Sequence, residues 1–178
     1  AFMTIDGIKV QIEGEKNILE VARKAGIEIP AFCYDPELSI YGACRMCVVE
    51  IVGARALQAA CVYPVAEGIE VLTHSPKVKE ARKSTLELIL SNHDRKCLTC
   101  IRNQNCELQK LCDELGVTGI TYEGIMNNFD IDASGTSIVR DNNKCILCRR
   151  CVSVCKDIQT VGVIDAQERG FNTKIGCA

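Results

Sequence analysis

The sequence contains no tryptophan and few other aromatic residues, with four Phe and four Tyr among 178 residues. Neither sign of charge is in excess, because 21 Lys and Arg residues nearly balance 23 Asp and Glu residues and leave a net charge of −2. This balance argues against a nucleic-acid partner. No apolar run approaches the roughly 18 residues that a membrane helix needs, so we predict no membrane span. The first residues lack a basic segment followed by an apolar core, so no secretion signal is predicted.

Cysteine is the residue type that the sequence has in excess, with 13 copies. Hydrophobic residues make up 47% and charged residues 25%, which is a globular and not a disordered composition. Without a secretion signal we expect a cytoplasmic, reducing location, where cysteine-rich chains usually bind metal. The odd number of cysteines also fits disulfide pairing poorly. Most of the cysteines fall into three groups in chain order, which predicts three modules at 1–75, 76–133 and 134–178.

The first module is expected to be a small mixed sheet with one helix. Alternating residues on either side of Asp6-Gly7 predict a hairpin. Asn17 is a suitable cap for an amphipathic helix over 18–25 that Gly26 ends. Dense β-branched residues predict strands at 47–52 and 69–72, with a weaker pattern at 56–60.

Spacing in the first cysteine group favours a 2Fe–2S cluster. Gaps of ten, two and thirteen residues separate its members, which are Cys33, Cys44, Cys47 and Cys61. Plant-type 2Fe–2S ferredoxins share the two-residue gap but have four residues in the first gap. A four-thiolate zinc site or a set of buried thiols remains the alternative on spacing.

The second module begins with a helix that Ser75 caps, with Pro76 in its first position, and that ends near residue 91. A shorter helix is predicted around 106–115, and residues 116–137 are expected to form a connector. Between the helices lies the second group, with gaps of three, two and five residues: His93, Cys97, Cys100 and Cys106. Spacing alone favours neither zinc nor a 4Fe–4S cluster here.

The third module contains the spacing of bacterial ferredoxins, with gaps of two, two and three residues between Cys145, Cys148, Cys151 and Cys155. Such neighbours would close strained disulfide loops, and a zinc site leaves the repeated step unexplained. In two-cluster ferredoxins the fourth cysteine serves the other cluster. One departure is Lys156, which stands where that motif usually has Pro. We predict a strand at 137–140 and a hairpin from 161–165 and 171–175.

The three patterns, in this order and over nearly the whole chain, resemble the N-terminal iron–sulfur region of iron-only (FeFe) hydrogenases. They are similar also to the corresponding region of the complex I large iron–sulfur subunit and of NAD-dependent formate dehydrogenases. The shared segments are Cys33-x10-Cys44-Arg45-Met46-Cys47, His93-x3-Cys97-x2-Cys100-x5-Cys106-Glu107-Leu108 and Lys144-Cys145-Ile146-Leu147-Cys148-Arg149-Arg150-Cys151.

This resemblance implies an α+β chain of three parts. These are an N-terminal 2Fe–2S ferredoxin-like (β-grasp) domain, a small helical 4Fe–4S domain and a partial bacterial-ferredoxin-like 4Fe–4S domain. It implies that the first group holds a 2Fe–2S cluster and that His93 with its three cysteines holds a 4Fe–4S cluster. It implies that Cys145, Cys148 and Cys151 ligate a further 4Fe–4S cluster and that Cys155 serves the next one. It assigns no ligand role to Cys112 or Cys177.

Within the resemblance, Cys155 separates the relatives. Complex I subunits usually lack a cysteine there, whereas residues 154–162 look most like the catalytic subunits of NAD(P)-linked, electron-bifurcating hydrogenases. We therefore expect an electron relay with NADH-dehydrogenase-like flavin and iron–sulfur subunits as partners, and ferredoxin as a second candidate. Formate dehydrogenase and complex I-like large subunits are the alternative parents.

The hydrogenase active-site domain and any G-x-G-x-x-G dinucleotide loop are absent from the sequence. No catalytic residue is therefore predicted, and the expected chemistry is electron transfer alone. Because Cys155 lacks a complete set of partners, we expect the sequence to be part of a longer polypeptide. The alternative is that Cys155 or Cys177 completes the cluster of Cys145, Cys148 and Cys151. A freely diffusing ferredoxin-like carrier and a zinc-stabilised interaction module are the competing hypotheses.

Overall fold

The structure is a computed structural model that describes residues 1–177, and these residues divide into two compact units. The first, here called the sheet unit, contains Ala1–Tyr34 and Ile40–Thr85. The second, here called the cysteine-loop unit, contains Asp35–Ser39 and the segment from Leu86 onward. The division into three modules stays a prediction.

The sheet unit contains a mixed five-stranded sheet in the order β2-β1-β5-β3-β4. Its strands are β1 Phe2–Ile5, β2 Ile8–Gln11, β3 Val48–Ile51, β4 Gln58–Ala59 and β5 Glu70–Leu72. β1 pairs antiparallel with β2 and parallel with β5, while β3 pairs antiparallel with both β4 and β5. The hairpin and the three later strands that the sequence predicts are confirmed, with β4 the shortest.

One helix, α1 at Ile18–Lys24, packs on this sheet. The Asn17 side chain caps it, because its Oδ1 accepts a hydrogen bond of 3.0 Å from the Glu20 backbone N–H. Gly26 follows with φ +72°, a left-handed conformation that ends helices and favours glycine. The predicted cap, helix and stop are all confirmed.

The core of the sheet unit lies between α1 and the sheet. Its fully buried side chains come from both elements and include Met3, Ile5, Ile18, Leu19, Val21, Val49 and Val71. Cys47 and Cys61 belong to the same cluster of buried residues. The first cysteine group is therefore anchored in the hydrophobic core of this unit.

Helices and loops make up most of the rest of the chain. The helices are α2 Pro76–Ser91, α3 Glu107–Glu114 and α4 Arg150–Ser153, and a π-helical turn, Val154–Ile158, continues α4. Strands β6 Ile164–Gln167 and β7 Lys174–Cys177 form an antiparallel pair. Within residues 1–177, no helix combines the length and the apolar character that crossing a membrane requires.

The predicted strand at 137–140 is wrong. Only Arg140 pairs there, in an isolated antiparallel bridge with Asp132. Ile138 and Val139, whose β-branched side chains suggested the strand, are 73% and 66% exposed. β-branched residues favour strands where they pack on a half-buried surface, and these side chains have no such surface.

The predicted second hairpin exists, but both strands lie about three residues later than expected. Val161 and Gly162 donate their backbone N–H groups to the Cys155 carbonyl and so extend the end of the helical turn. Gly170–Asn172 forms a 3-10 turn between the strands. The first residues of the predicted hairpin therefore end the helical turn, and the first residues of its predicted second strand form the 3-10 turn.

We predict that Asn17→Ala lowers the free energy of unfolding by about 1 kcal/mol, because it removes the oxygen that caps α1. Asn17→Ser is the matched control, since its hydroxyl can still accept the Glu20 N–H and should recover most of that loss. Chemical denaturation followed by far-ultraviolet circular dichroism measures both. Equal losses for the two variants would contradict the capping role.

Candidate metal centres

The first cysteine group is buried, and its thiols are free. Exposure is 4% for Cys33, 8% for Cys44, 1% for Cys47 and 0% for Cys61. Cys33 and Cys44 lie in the long loop between α1 and β3, Cys47 directly precedes β3, and Cys61 follows β4. The Ala60 N–H donates to the Cys47 carbonyl at 3.0 Å, which brings Cys47 close to Cys61, the residue after Ala60.

The four sulfur atoms interact with one another. The thiols of Cys44 and Cys61 donate hydrogen bonds to the Cys33 sulfur and lower the pKa of Cys33 to about 2. The Cys61 thiol likewise lowers the pKa of Cys47 to about 7. The same hydrogen bonds raise the pKa of the donor thiols, Cys44 and Cys61. The structure therefore brings together all four cysteines of the first predicted site and favours the thiolate, the form that metals bind, at Cys33 and Cys47.

Backbone N–H groups line the same sulfur cluster. The Cys44 N–H donates to the Cys33 Sγ at 3.5 Å, and the Met46 N–H donates to the Cys44 sulfur. Gly42 and Arg45 have φ of +61° and +57°, so the chain turns sharply on both sides of Cys44. Successive N–H groups in such turns form a concave surface that suits an anionic group.

The second predicted site also comes together in the structure. His93, Cys97, Cys100 and Cys106 all line one cavity of about 330 Å³. Cys97 begins a 3-10 turn, and Cys106 precedes α3 without using its side chain as a cap. The apolar side chains of Leu90 and Leu108 close part of the wall.

His93 has the features of a ligand and not of a surface side chain. Its Nδ1 is buried and has no hydrogen-bond partner within the described part of the chain. Burial lowers the pKa of His93, so its imidazole is neutral at physiological pH and keeps a lone pair. An unpaired buried nitrogen is costly unless something absent from the protein itself binds it. The cavity therefore fits a metal centre.

Cys112 lies on the wall of this second cavity, although the family resemblance assigned it no role. It is half-buried on α3, and burial together with the charges of Cys97 and Cys106 raises the pKa of its thiol. Its six-residue distance from Cys106 is the only sequence signal that could have placed it here.

The third group is less enclosed. Cys145 and Cys148 are partly exposed and Cys151 is exposed, while Cys155 is buried. Leu147 and Arg149 have φ of +54° and +62°, and the Leu147 N–H donates to the Cys145 Sγ at 3.4 Å. This alternation of left-handed residues with cysteines again turns backbone donors toward sulfur.

Cys155 has an environment of its own. Backbone N–H groups of Ile164, Val163 and Gly162 donate to its sulfur and lower the pKa of the thiol. Those donors belong to the segment that leads into β6, not to the loop of the other three cysteines. These backbone donors favour the thiolate form of Cys155.

The remaining candidates have ordinary roles. Cys177 is exposed, and the Arg140 guanidinium donates to its Sγ at 3.5 Å. The ring of His74 contacts Thr73 Oγ1 and lies 3.5 Å from Asp6 Oδ2.

Single-ion and cluster sites place different demands on these donors. Among residues 1–177, no three His, Cys, Asp or Glu side chains surround one point closely enough to hold a single metal ion. Zinc needs its thiolates about 2.3 Å from one centre, whereas a cluster distributes its ligands over several iron atoms.

Two families match parts of the chain. Residues 2–76 match the 2Fe-2S iron-sulfur cluster binding domain, and residues 82–121 match the NADH-ubiquinone oxidoreductase-G iron-sulfur binding region. The sequence prediction of a 2Fe–2S domain followed by a 4Fe–4S region is confirmed at that level of detail.

Similar proteins come from redox enzymes. The chain is 40% identical over 182 residues to NADP-reducing hydrogenase subunit HndD of Solidesulfovibrio fructosivorans, which covers 99% of this chain and 31% of that protein. It is 34% identical over 176 residues to the mitochondrial NADH-ubiquinone oxidoreductase 78 kDa subunit of Candida albicans, which covers 98% of this chain and 24% of that protein. The chain thus spans a third or less of these curated relatives.

A crystal structure of an NAD+-reducing [NiFe]-hydrogenase in the H2-reduced state contains a chain with the same fold. The TM-score is 0.92 at 30% identity, and the match covers 99% of this chain and 74% of that one. The likeness therefore extends over both units of the present chain, each with its cysteine loops.

We predict that Gly42→Ala lowers the thermal stability of the chain more than Gly53→Ala does. A Cβ at Gly42 would lie 3.1 Å from Val62 Cγ1, and the left-handed backbone adds about 1–2 kcal/mol of strain. Gly53→Ala is the matched control, because Gly53 has φ +86° but open space around it. Thermal unfolding should show a larger loss for Gly42→Ala. A loss no greater than that of the control would contradict close packing at this turn.

Proposed function

We propose that this chain, which belongs to the family of iron–sulfur subunits found in NADH-quinone oxidoreductases and NAD(P)-reducing hydrogenases, relays electrons within a larger oxidoreductase. One observation carries the proposal. Every member of the first two predicted ligand groups lies beside the others of its group, with free thiols and a buried imidazole nitrogen that has no hydrogen-bond partner among residues 1–177.

The first centre is proposed to be a 2Fe–2S cluster held by Cys33, Cys44, Cys47 and Cys61. Hydrogen bonds among the four sulfurs bring them together and favour thiolates at Cys33 and Cys47, and backbone N–H groups of the loop donate to the sulfurs of Cys33 and Cys44. Burial excludes water from the sulfurs. The cluster would supply one-electron redox chemistry, while the protein holds the ligands and sets the electrostatics around them.

The second centre is proposed to be a 4Fe–4S cluster held by His93, Cys97, Cys100 and Cys106. The shared cavity and the neutral His93 ring support this ligand set. A neutral imidazole in place of a thiolate removes one negative charge, so this site should favour reduction more than an all-cysteine site.

The third centre is proposed to be a 4Fe–4S cluster with Cys145, Cys148 and Cys151 among its ligands. Cys155 is proposed to serve a further cluster. Its separate set of backbone donors supports a separate role. Two, four and four irons would give about ten if the third site is complete.

The proposed parent enzyme is an NAD(P)-linked hydrogenase of the iron-only, electron-bifurcating type. The resemblance of residues 154–162 supports that type, and a hydrogenase subunit is among the relatives. Electrons would pass between NADH-dehydrogenase-like flavin and iron–sulfur subunits, or ferredoxin, and a hydrogen-converting site outside this chain. An NAD-dependent formate dehydrogenase or complex I-like large subunit is the second candidate, and an NADH-ubiquinone oxidoreductase relative favours the latter.

Metal analysis with low-temperature EPR tests the relay. Anaerobically purified chain should contain iron and acid-labile sulfide, and reduction should produce separate 2Fe–2S and 4Fe–4S signals. Zinc without iron, or no EPR signal after reduction, would contradict the proposal and favour an interaction module.

We predict that Cys44→Ser removes the 2Fe–2S signal and leaves the 4Fe–4S signals in place, because Cys44 belongs to one proposed ligand set. Cys177→Ser is the control, since Cys177 is exposed and belongs to none, and it should keep all signals. EPR of the reduced variants measures the outcome. Loss of every signal from Cys44→Ser would contradict independent centres.

We predict that His93→Cys keeps a cluster but lowers its midpoint potential, because a thiolate adds one negative charge. His74→Ala should leave that potential unchanged, since His74 contacts Thr73 and Asp6 in the sheet unit. An EPR-monitored redox titration measures both. A potential unaffected by His93→Cys would contradict ligation by His93.

A further inference from the structure

A buried arginine stands beside the first cysteine group. Arg82 lies on α2, and only 4% of its surface is exposed. Burial of a cation is costly unless hydrogen bonds and an opposite charge compensate it. The neighbours of Arg82 should therefore show what compensates its charge.

The hydrogen bonds of Arg82 leave part of the guanidinium unused. Its Nη2 donates to the Val48 carbonyl at 2.8 Å, which joins α2 to the first residue of β3. Its Nε is buried and has no acceptor among the residues that the structure describes. One neutral carbonyl does not offset a full buried charge.

Cys47 is the neighbour that can carry the opposite charge. It precedes Val48 directly, so the bond from Arg82 to the Val48 carbonyl brings the guanidinium beside Cys47, whose charge acts on Arg82 more strongly than that of Asp6. Asp6 is occupied elsewhere, because its Oδ1 accepts the Thr73 backbone N–H at 2.7 Å and its Oδ2 accepts the Thr73 hydroxyl. Burial lowers the pKa of Arg82 to about 10, so the side chain remains a cation at neutral pH.

We propose that Arg82 is a positioning residue that raises the reduction potential of the 2Fe–2S centre by placing one buried positive charge beside Cys47. This inference rests on the proposed 2Fe–2S site. Reduction by one electron converts one ferric iron to ferrous iron and adds one negative charge, with no proton needed. A fixed cation in a low-dielectric environment stabilises that more negative state.

A purely structural role makes a different prediction. If Arg82 only joins α2 to β3 through Val48, its loss lowers the stability of the chain. The reduction potential of any 2Fe–2S centre that still assembles then stays unchanged. A charge effect moves the potential in proportion to the charge removed. The potential, and not the stability, therefore separates the two roles.

The test compares three variants of the full chain by EPR-monitored redox titration with dithionite as the electron donor. Arg82→Gln removes the charge, Arg82→Lys keeps it, and Lys83→Gln removes an equal charge from an exposed position on the same helix. We expect Arg82→Gln to shift the one-electron equilibrium about tenfold toward the oxidised state, which is ~59 mV. Arg82→Lys and Lys83→Gln should stay near wild type, and the 4Fe–4S signals should not move.

An unshifted 2Fe–2S potential in Arg82→Gln would overturn the inference, as would an equal shift in Lys83→Gln. If Arg82→Gln does not fold, citrulline at position 82 replaces it, because citrulline keeps the Nε–H and a terminal amide donor but carries no charge. The same shift is expected there, and its absence would overturn the inference. A wild-type chain without any 2Fe–2S signal would contradict the proposed function itself.

Discussion

The proposed centres depend on holding several cysteine sulfurs close together, although thiolates repel one another. In the first group, four buried thiols share hydrogen bonds, and the N–H groups of a sharply turning loop point at the sulfurs. The core of the sheet unit supplies rigidity, since Cys47 and Cys61 belong to it. To turn its N–H groups toward the sulfurs, the loop adopts left-handed conformations at Gly42 and Arg45. Around His93 a cavity brings three cysteines together with a neutral imidazole.

Much of the fold follows from local sequence signals. Asn17, Gly26 and Pro76 mark helix ends by chemistry that acts within a few residues, so the structure agrees closely with them. The strand at 137–140 and the register of the second hairpin depended on tertiary contacts instead. The Cys155 carbonyl captures the N–H groups of Val161 and Gly162, and no periodicity in the sequence reports that contact.

The candidate sites show the same limit. The residues that spacing grouped for the first two sites lie close together, while their role as ligands stays a prediction. Spacing could not locate Cys112 on the second cavity or Arg82 beside Cys47, since both lie on helices whose orientation is a tertiary property. The polar neighbours that tune a metal centre are thus harder to predict than the ligands. They are also where members of one family can differ in potential while keeping the same cysteines.

The central claim is that electrons move between centres within one chain. Anaerobic chain reduced with less than one electron per molecule, frozen at successive times and examined by EPR, tests it most directly. The account predicts that spin passes from the centre reduced first to the centre of highest potential, at a rate independent of protein concentration and with total spin conserved. Centres that keep their initial populations, or exchange only as concentration rises, would contradict a relay.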